Sequence, residues 1–406
     1  MKILFVVPYI PNLIRVRPYN LLRTLAARGH EITLLTLWSE TAEQNDITAL
    51  KEICHQVHAL PMPKWRSLLN CLIALPQRAP LQSVFSWLPD LVEGMNNNVP
   101  FDVVHVEHLR GVRYALHLKE HTNLPVVWDS VDCITHLFEQ TVEQSTDRIR
   151  RWRSQLDLKR TAVYEGWLVQ QFDEVLVTSP TDQSALVHLS GRSHEELPIH
   201  VVANGVDLDY FQPKTAVTRE PATLVISGKM SYHANITMAL HLTQNIMPHI
   251  WAARPDVKLW IVGKDPTSEI VALAENPNVT VTGFVEDIRP YLQQATIAVA
   301  PLTYGAGVQN KVLEAMACAT PVITTLQAIS ALQIEAGQDV LVADQPEQFA
   351  QTILNLLNNP QQQEQVGQAG YRYVHTHHHW PNIVARLENI YQNAIHNRQN
   401  HHAAPA

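Results

Sequence analysis

One pattern constrains this chain more than any other: short β-branched apolar runs alternate with helix-like segments, and the alternation runs twice. Residues 3–7 (ILFVV) lead into a helical stretch near 18–28, Gly29 closes it as a C-cap would, and residues 31–37 form the next run. Further runs follow at 103–106, 126–128, 175–178 and 200–202. They are continuously apolar, as in parallel strands covered by helices on both faces. Residues 204–221 (NGVDLDYFQPKTAVTREP) then bring turn residues and two prolines, with no apolar period. Beyond this stretch, read as a linker, runs resume at 224–227, 258–262, 279–282, 297–300 and 322–324, with helices starting near Asn235 and Asn310. The expectation is α/β, two Rossmann-like doubly wound domains over 1–205 and 206–380. The length of 406 residues agrees, at ~100–200 residues per domain. In residues 381–406, Ile383, Val384, Leu387, Ile390, Tyr391 and Ile395 draw the stripe of an amphipathic helix, which must bury that face; His401 and His402 fall in a tail expected to fray.

Composition narrows the function. Thirty basic and 38 acidic residues give a net charge of −8, so no global positive field recruits nucleic acid, and an anion site must be local. Cys54, Cys71, Cys133 and Cys318 are scattered without a CxxC pair, which points away from a zinc module or disulfide framework and toward a reducing compartment. The N-terminal run reads as a strand rather than a signal peptide, and no run approaches the ~18 apolar residues of a membrane span. The expected location is cytoplasmic, with peripheral contact at the inner face of a membrane left open.

Only 14 glycines occur, about half the usual ~7%, so the close pair Gly305 and Gly307 carries weight. The pair follows the apolar strand TIAVAPL and precedes the helical pattern VQNKVLEAMA. Free N–H groups and the positive end of a helix dipole favour phosphate at such a place. Lys311 and Glu314, three apart, share one helix face: an ammonium for a phosphate, a carboxylate for ribose or sugar hydroxyls. Together these fit a nucleotide sugar. Glycine turns beside a surface Lys–Glu pair account for the spacing equally well.

The run APLTYGAGVQNKVLEAMACATPVITT (300–325) closely resembles the donor-site motif of family 4 glycosyltransferases, and HVVANGVDLDYF (200–211) resembles their interdomain segment. FDVVHVEHL, FDEVLVTSPTD, VTGFVEDIRPYL and HWPNIVARLENIYQ extend the likeness over nearly the whole chain, most strongly to sugar transferases of exopolysaccharide systems. The resemblance implies a GT-B fold, two Rossmann-like domains facing across a cleft, the donor held by the second. It also implies anomeric retention with no metal or other cofactor, and a C-terminal helix returning to the first domain. Glu314 takes the second glutamate of the E-x7-E motif and its ribose-binding role; Ala306 stands in place of the first. Gly228 and Lys229 match the start of a phosphate-binding G-K segment, and Asn235 stands where a second basic residue is common, a charge Lys311 can replace.

Gly228, Gly263, Phe284 and Gly305 all follow strand ends, where doubly wound sheets collect ligands, and Val308 opens the donor helix. Fixed N–H donors with Lys229 and Lys311 would stabilise charge growing on a departing diphosphate. In the first half, the resemblance implies a sugar-contacting histidine at the place of Glu107, a role available to His108; either side chain is a candidate for bonding the sugar or taking the acceptor's proton, whereas His105 reads as a core histidine. Asp129 and Asp132 are candidates for lining the acceptor side or stabilising a turn. Arg15 and Arg17, in PNLIRVRPY, are charged loop residues able to reach the phosphate of a lipid-linked acceptor or simply solvated. Residues 63–91 mix Trp65, Phe85 and Trp87 with Lys64, Arg66 and Arg78, as in an interfacial segment or ordinary core helices. Residues 148–160 (RIRRWRSQLDLKR) read as a solvated helix face, and His375, His377, His378 and His379 lack metal-site spacing. The combined reading is a retaining transferase moving a sugar from a nucleotide diphosphate sugar to a hydroxyl acceptor. A nucleotide-sugar epimerase and a non-catalytic scaffold are the alternatives.

Overall fold

The computed structural model describes residues 1–13, 15–76, 79–93, 100–144, 148–213, 218–304 and 308–403, with the side chains of 42, 144, 148–150, 153, 154 and 401–403 excepted. Arg78 and the glycine pair lie outside the described residues, as do the side chains of Arg148, His401 and His402. The chain forms two units, Met1–Ala203 with Trp380–Ala406, and Asn204–His379. It therefore passes from one to the other after Ala203 and back after His379.

The first unit is built on β1 (Lys2–Val7), β2 (Glu31–Trp38), β3 (Gln56–Pro61), β4 (Val103–Glu107), β5 (Val126–Val131), β6 (Glu174–Val177) and β7 (Ile199–Val201). All pair in parallel, in the order β3-β2-β1-β4-β5-β6-β7. Alternate residues of β1 serve opposite cores: Ile3, Phe5 and Val7 on one face, Leu4 and Val6 on the other. The helix Trp380–Ala403 seals the first face with Trp380, Ile383, Val384, Leu387, Ile390 and Tyr391, so the stripe read from the sequence is buried here.

The second unit contains β8 (Thr223–Ser227), β9 (Lys258–Val262), β10 (Val279–Gly283), β11 (Ile297–Ala300), β12 (Val322–Thr324) and β13 (Leu341–Val342), parallel in the order β10-β9-β8-β11-β12-β13. In each sheet the chain first builds outward on one side of its opening strand and then returns to the other. The reversals fall between β1 and β4 and between β8 and β11, the topological switch points where doubly wound sheets bind ligands beyond the strand carboxyl ends.

Residues 204–221 are not a free linker where described. Val206 N donates to His378 O (2.8 Å), and Gln293 Nε2 donates to Gln212 O (2.9 Å). The Arg289 guanidinium lies 4.0 Å from the centre of the Tyr210 ring. The segment belongs to the second unit because these partners satisfy its backbone and cover its aromatics.

Candidate functional site

At the second switch point, two tight turns leave adjacent strands. Gly228, after β8, has φ 143°, and Gly263, after β9, has φ 150°. A Cβ on Gly263 would overlap the carbonyl oxygen of Gly228, and one on Gly228 would lie 2.6 Å from Asn235 Nδ2. Only glycine at both positions lets the turns nest. Gly228 N donates to Val262 O (3.0 Å) and Met230 N to Lys264 O (2.9 Å). Asn235 is buried and donates from Nδ2 to Lys229 O (3.0 Å), so it braces the turn rather than replacing a basic donor-binding residue. Lys229 is exposed, 3.7 Å from Asp265. Phe284, just past β10, is 72% exposed.

The helix Asn310–Ala317 follows β11 across the same switch point. Its inner side supplies Val312, Leu313 and Met316 to the core. Val308, just ahead of the helix, packs against that core. Lys311 and Glu314 are half-buried on the remaining face. Lys311 Nζ donates to Gln309 Oε1 (3.0 Å). It also lines a narrow gap with Ser227 and Ala300, at the carboxyl ends of β8 and β11. Burial lowers the Lys311 ammonium to about 8 against the pull of Glu314, and burial raises Glu314 to about 7 against the pull of Lys311. Both groups are thus partly desolvated beside a strand terminus. Gly305, Ala306 and Gly307, predicted to cradle the diphosphate, lie outside the described residues.

Sequence reasoning missed the residues flanking that segment. Tyr304 Oη lies 2.7 Å from His233 Nδ1 and 3.3 Å from Thr237 Oγ1, and the Tyr304 and His233 rings stack with centroids 5.4 Å apart. Tyr304 thereby ties the end of the β11 loop to the first turn of the helix His233–His241, whose dipole is the other local source of positive potential. The one available signal was the position of Tyr304 immediately ahead of the glycine pair.

At the first switch point, Tyr9 follows β1 and Glu107 ends β4. Tyr9 Oη donates to Glu107 Oε1 (2.7 Å), while Glu107 Oε2 is buried with no partner among the described residues. Burial, reinforced by the Asp129 charge, raises the Glu107 carboxyl to about 8, so it is mainly neutral at pH 7. His108 takes φ 66°, which turns its ring beside Tyr9, with centroids 6.2 Å apart. Burial and then Arg110 lower it to about 3. Arg110 N donates to its Nδ1 (3.2 Å), so in the neutral ring Nε2 carries the proton and presents a donor.

Two acceptor-side expectations are corrected. Arg17 is not a loop residue: it is the second residue of the helix Val16–Ala27 and is 4% exposed. Its Nη2 lies 2.7 Å from Oδ2 of the fully buried Asp129, and its Nη1 donates to Val202 O (2.9 Å). Each neutralises the other inside the core. Asp129 Oδ1 also accepts from Val131 N (3.1 Å), the turn-stabilising alternative. Asp132 accepts from Thr178 Oγ1 (3.2 Å); burial and then Asp182 raise it to about 7. Arg15 bonds Ile10 O (2.9 Å) and Glu43 (3.3 Å). His105 is a core residue, stacked on Phe5 at 4.1 Å and bonded through Nδ1 to Tyr391 Oη (2.8 Å). His378 Nδ1 donates to Asn204 O (2.7 Å). No group of three side chains able to hold a metal occurs among the described residues.

Two parallel doubly wound domains, each with polar groups at its switch point, define the GT-B class. Residues 15–210 match the model described as Glycosyltransferase Family 4, and residues 221–359 match that described as Glycosyl transferases group 1. The chain belongs to the family 4 glycosyltransferases. It is 25% identical over 258 residues to the MMP α-(1→4)-mannosyltransferase of Mycolicibacterium hassiacum, covering 61% of this chain and 59% of that one. It is 32% identical over 165 residues to a GDP-mannose-dependent monoacylated α-(1-6)-phosphatidylinositol monomannoside mannosyltransferase of Corynebacterium glutamicum, covering 36% and 42%. The matched part thus spans about half the length of these relatives. Its fold is that of Anabaena HepE, solved in complex with UDP, at TM-score 0.66 and 16% identity over 96% of this chain and 99% of that one.

Proposed function

We propose that the protein transfers a sugar, with retention at the anomeric carbon, from a nucleotide diphosphate sugar to a hydroxyl acceptor in polysaccharide or glycolipid assembly. The observation that carries this reading is the desolvated Lys311–Glu314 face at the β8–β11 switch point, beside the nested Gly228 and Gly263 turns. The mannosyltransferase relatives and the UDP-bound fold neighbour support it.

The donor diphosphate is assigned to the amides opening the helices at His233 and Asn310, with Lys229 and Lys311 supplying cations as the leaving group gains charge. Entry of a diphosphate raises the Lys311 pKa and secures its proton. Glu314 accepts hydrogen bonds from the ribose hydroxyls, which favour its ionised form. In the first unit, His108 offers an N–H to the transferred sugar, and the buried, neutral Glu107 positions Tyr9 beside it. The charges are met by side chains and amides, so the scheme requires no metal.

Incubation with labelled UDP- and GDP-sugars and a panel of lipid-linked and soluble hydroxyl acceptors tests the proposal. The expected product is a glycoside of the donor's anomeric configuration. An isomerised donor, or tight donor binding without transfer to any acceptor, would contradict it in favour of the epimerase or the scaffold.

A further inference from the structure

The helix Lys64–Ala74 is inside out. Its inward side carries Ser67 and Ala74, each 2% exposed, with Asn70, which donates from Nδ2 to Trp87 O (2.9 Å). Its outward side carries Trp65, Leu68, Leu69, Leu72 and Ile73, which are 63, 65, 44, 62 and 58% exposed. Positions 65, 68, 69, 72 and 73 make the apolar stripe that a helix in a globular domain turns toward the core. Of the two readings of residues 63–91, the core reading holds for Val84, Leu88 and Leu91, which are buried, and fails for this helix.

A second helix continues the surface. On Arg148–Leu168, Trp152, Leu156, Val163 and Trp167 are exposed, and with Arg160 they form one row along the helix. Arg160 Nη2 donates to Leu75 O (3.0 Å), and Leu81 N donates to Asp157 Oδ2 (3.0 Å), so the row adjoins the end of the inside-out helix. The face is solvent-exposed, as the sequence reading has it, and its described exposed side chains include the apolar Trp152 and Leu156.

Charge identifies the occupant. The first helix carries Lys64 and Arg66 and no carboxylate. The second carries six Lys or Arg, and its two carboxylates, Asp157 and Glu165, are buried. Among these basic residues, Lys64 pairs with Glu40 at 3.3 Å. A chain with net charge −8 thus places Lys64, Arg66, Arg151 and Lys159 on the two helices that expose these tryptophans and leucines. Cations rimming an apolar helix face, with tryptophan among its side chains, suit a surface that is apolar inside and anionic outside. A second copy on this patch would press like charges together. No helix among the described residues is long and apolar enough to cross a membrane, so the contact is in-plane. We propose that this face docks on an anionic phospholipid bilayer, with Trp65, Leu68, Leu69, Leu72 and Ile73 inserted at the headgroup boundary.

The inference does not depend on the transfer activity and is tested without it. The full chain is sedimented with phosphatidylcholine vesicles with and without phosphatidylglycerol. The expected result is binding to the phosphatidylglycerol vesicles that weakens with salt and falls at least ~10-fold in the double variant Leu68→Ser, Leu72→Ser. Arg151→Gln with Lys159→Gln should weaken binding to the anionic vesicles alone. Because these side chains are exposed, circular dichroism and melting temperature should match the parent. Three results would overturn the proposal: no binding to phosphatidylglycerol vesicles, equal binding by the serine variant, or a concentration-dependent dimer abolished by the serine substitutions.

Discussion

Replacing Glu107 by Gln should stabilise the protein progressively as pH rises. The buried carboxyl is raised from its ordinary 4.5 to about 8. Between those values the folded chain holds a proton that the unfolded chain releases, so stability falls with rising pH. The whole span corresponds to about 5 kcal/mol, of which about 3 kcal/mol is already lost at pH 7. Glutamine has the shape of the neutral acid, keeps an oxygen for the Tyr9 hydroxyl, and does not titrate. Asp132 and Glu314, both raised to about 7, give the parent protein a similar trend, so the informative quantity is the difference between variant and parent. Denaturant unfolding followed by tryptophan fluorescence at pH 5, 7 and 9 should show that difference growing in favour of Gln by several kcal/mol. A constant difference, or a variant most destabilised at high pH, would refute the assignment of a neutral buried acid.

Gly263→Ala should cost about 1–3 kcal/mol for its backbone conformation and a further ~1–3 kcal/mol for overlap with the Gly228 carbonyl. Gly283→Ala, with φ 66° and open space around it, should cost only about 1–2 kcal/mol, and equal losses in paired denaturation curves would discredit the nesting of the two turns. Arg17→Met leaves Asp129 charged and buried without its partner and should destabilise the first domain by about 3–5 kcal/mol, read as faster amide exchange in β1, β4 and β5. Tyr304→Phe removes the bonds to His233 and Thr237; a loss of about 1 kcal/mol should lower the melting temperature by roughly 2–4 °C.

The strands at 258–262, 297–300 and 322–324 were legible to the residue because parallel, doubly covered strands advertise themselves as unbroken apolar runs. β3 was not: Gln56–Pro61 lies at the sheet edge with alternating exposure and polar residues. β13 has only two residues, too few to show a period. The Lys311–Glu314 pairing on one face follows from helix geometry and was readable. The fate of Arg17 was not, since its partner Asp129 is 112 residues away and a buried arginine is indistinguishable from a loop arginine in sequence. For the same reason the composition of residues 63–91 fits an interfacial segment and core helices alike, and does not show which way the helix Lys64–Ala74 faces. The direction is set by Ser67, Asn70 and Ala74, small or polar residues that fit against the neighbouring backbone.

Calorimetric titration of UDP and GDP into the parent protein, Lys311→Ala and Glu314→Ala reads out whether this helix face holds the donor nucleotide. One nucleotide should bind the parent, and each substitution should weaken it by about 10–100-fold, the loss of a hydrogen bond to a charged group. Unchanged affinity in both variants would place the nucleotide elsewhere and refute the assignment of Lys311 and Glu314.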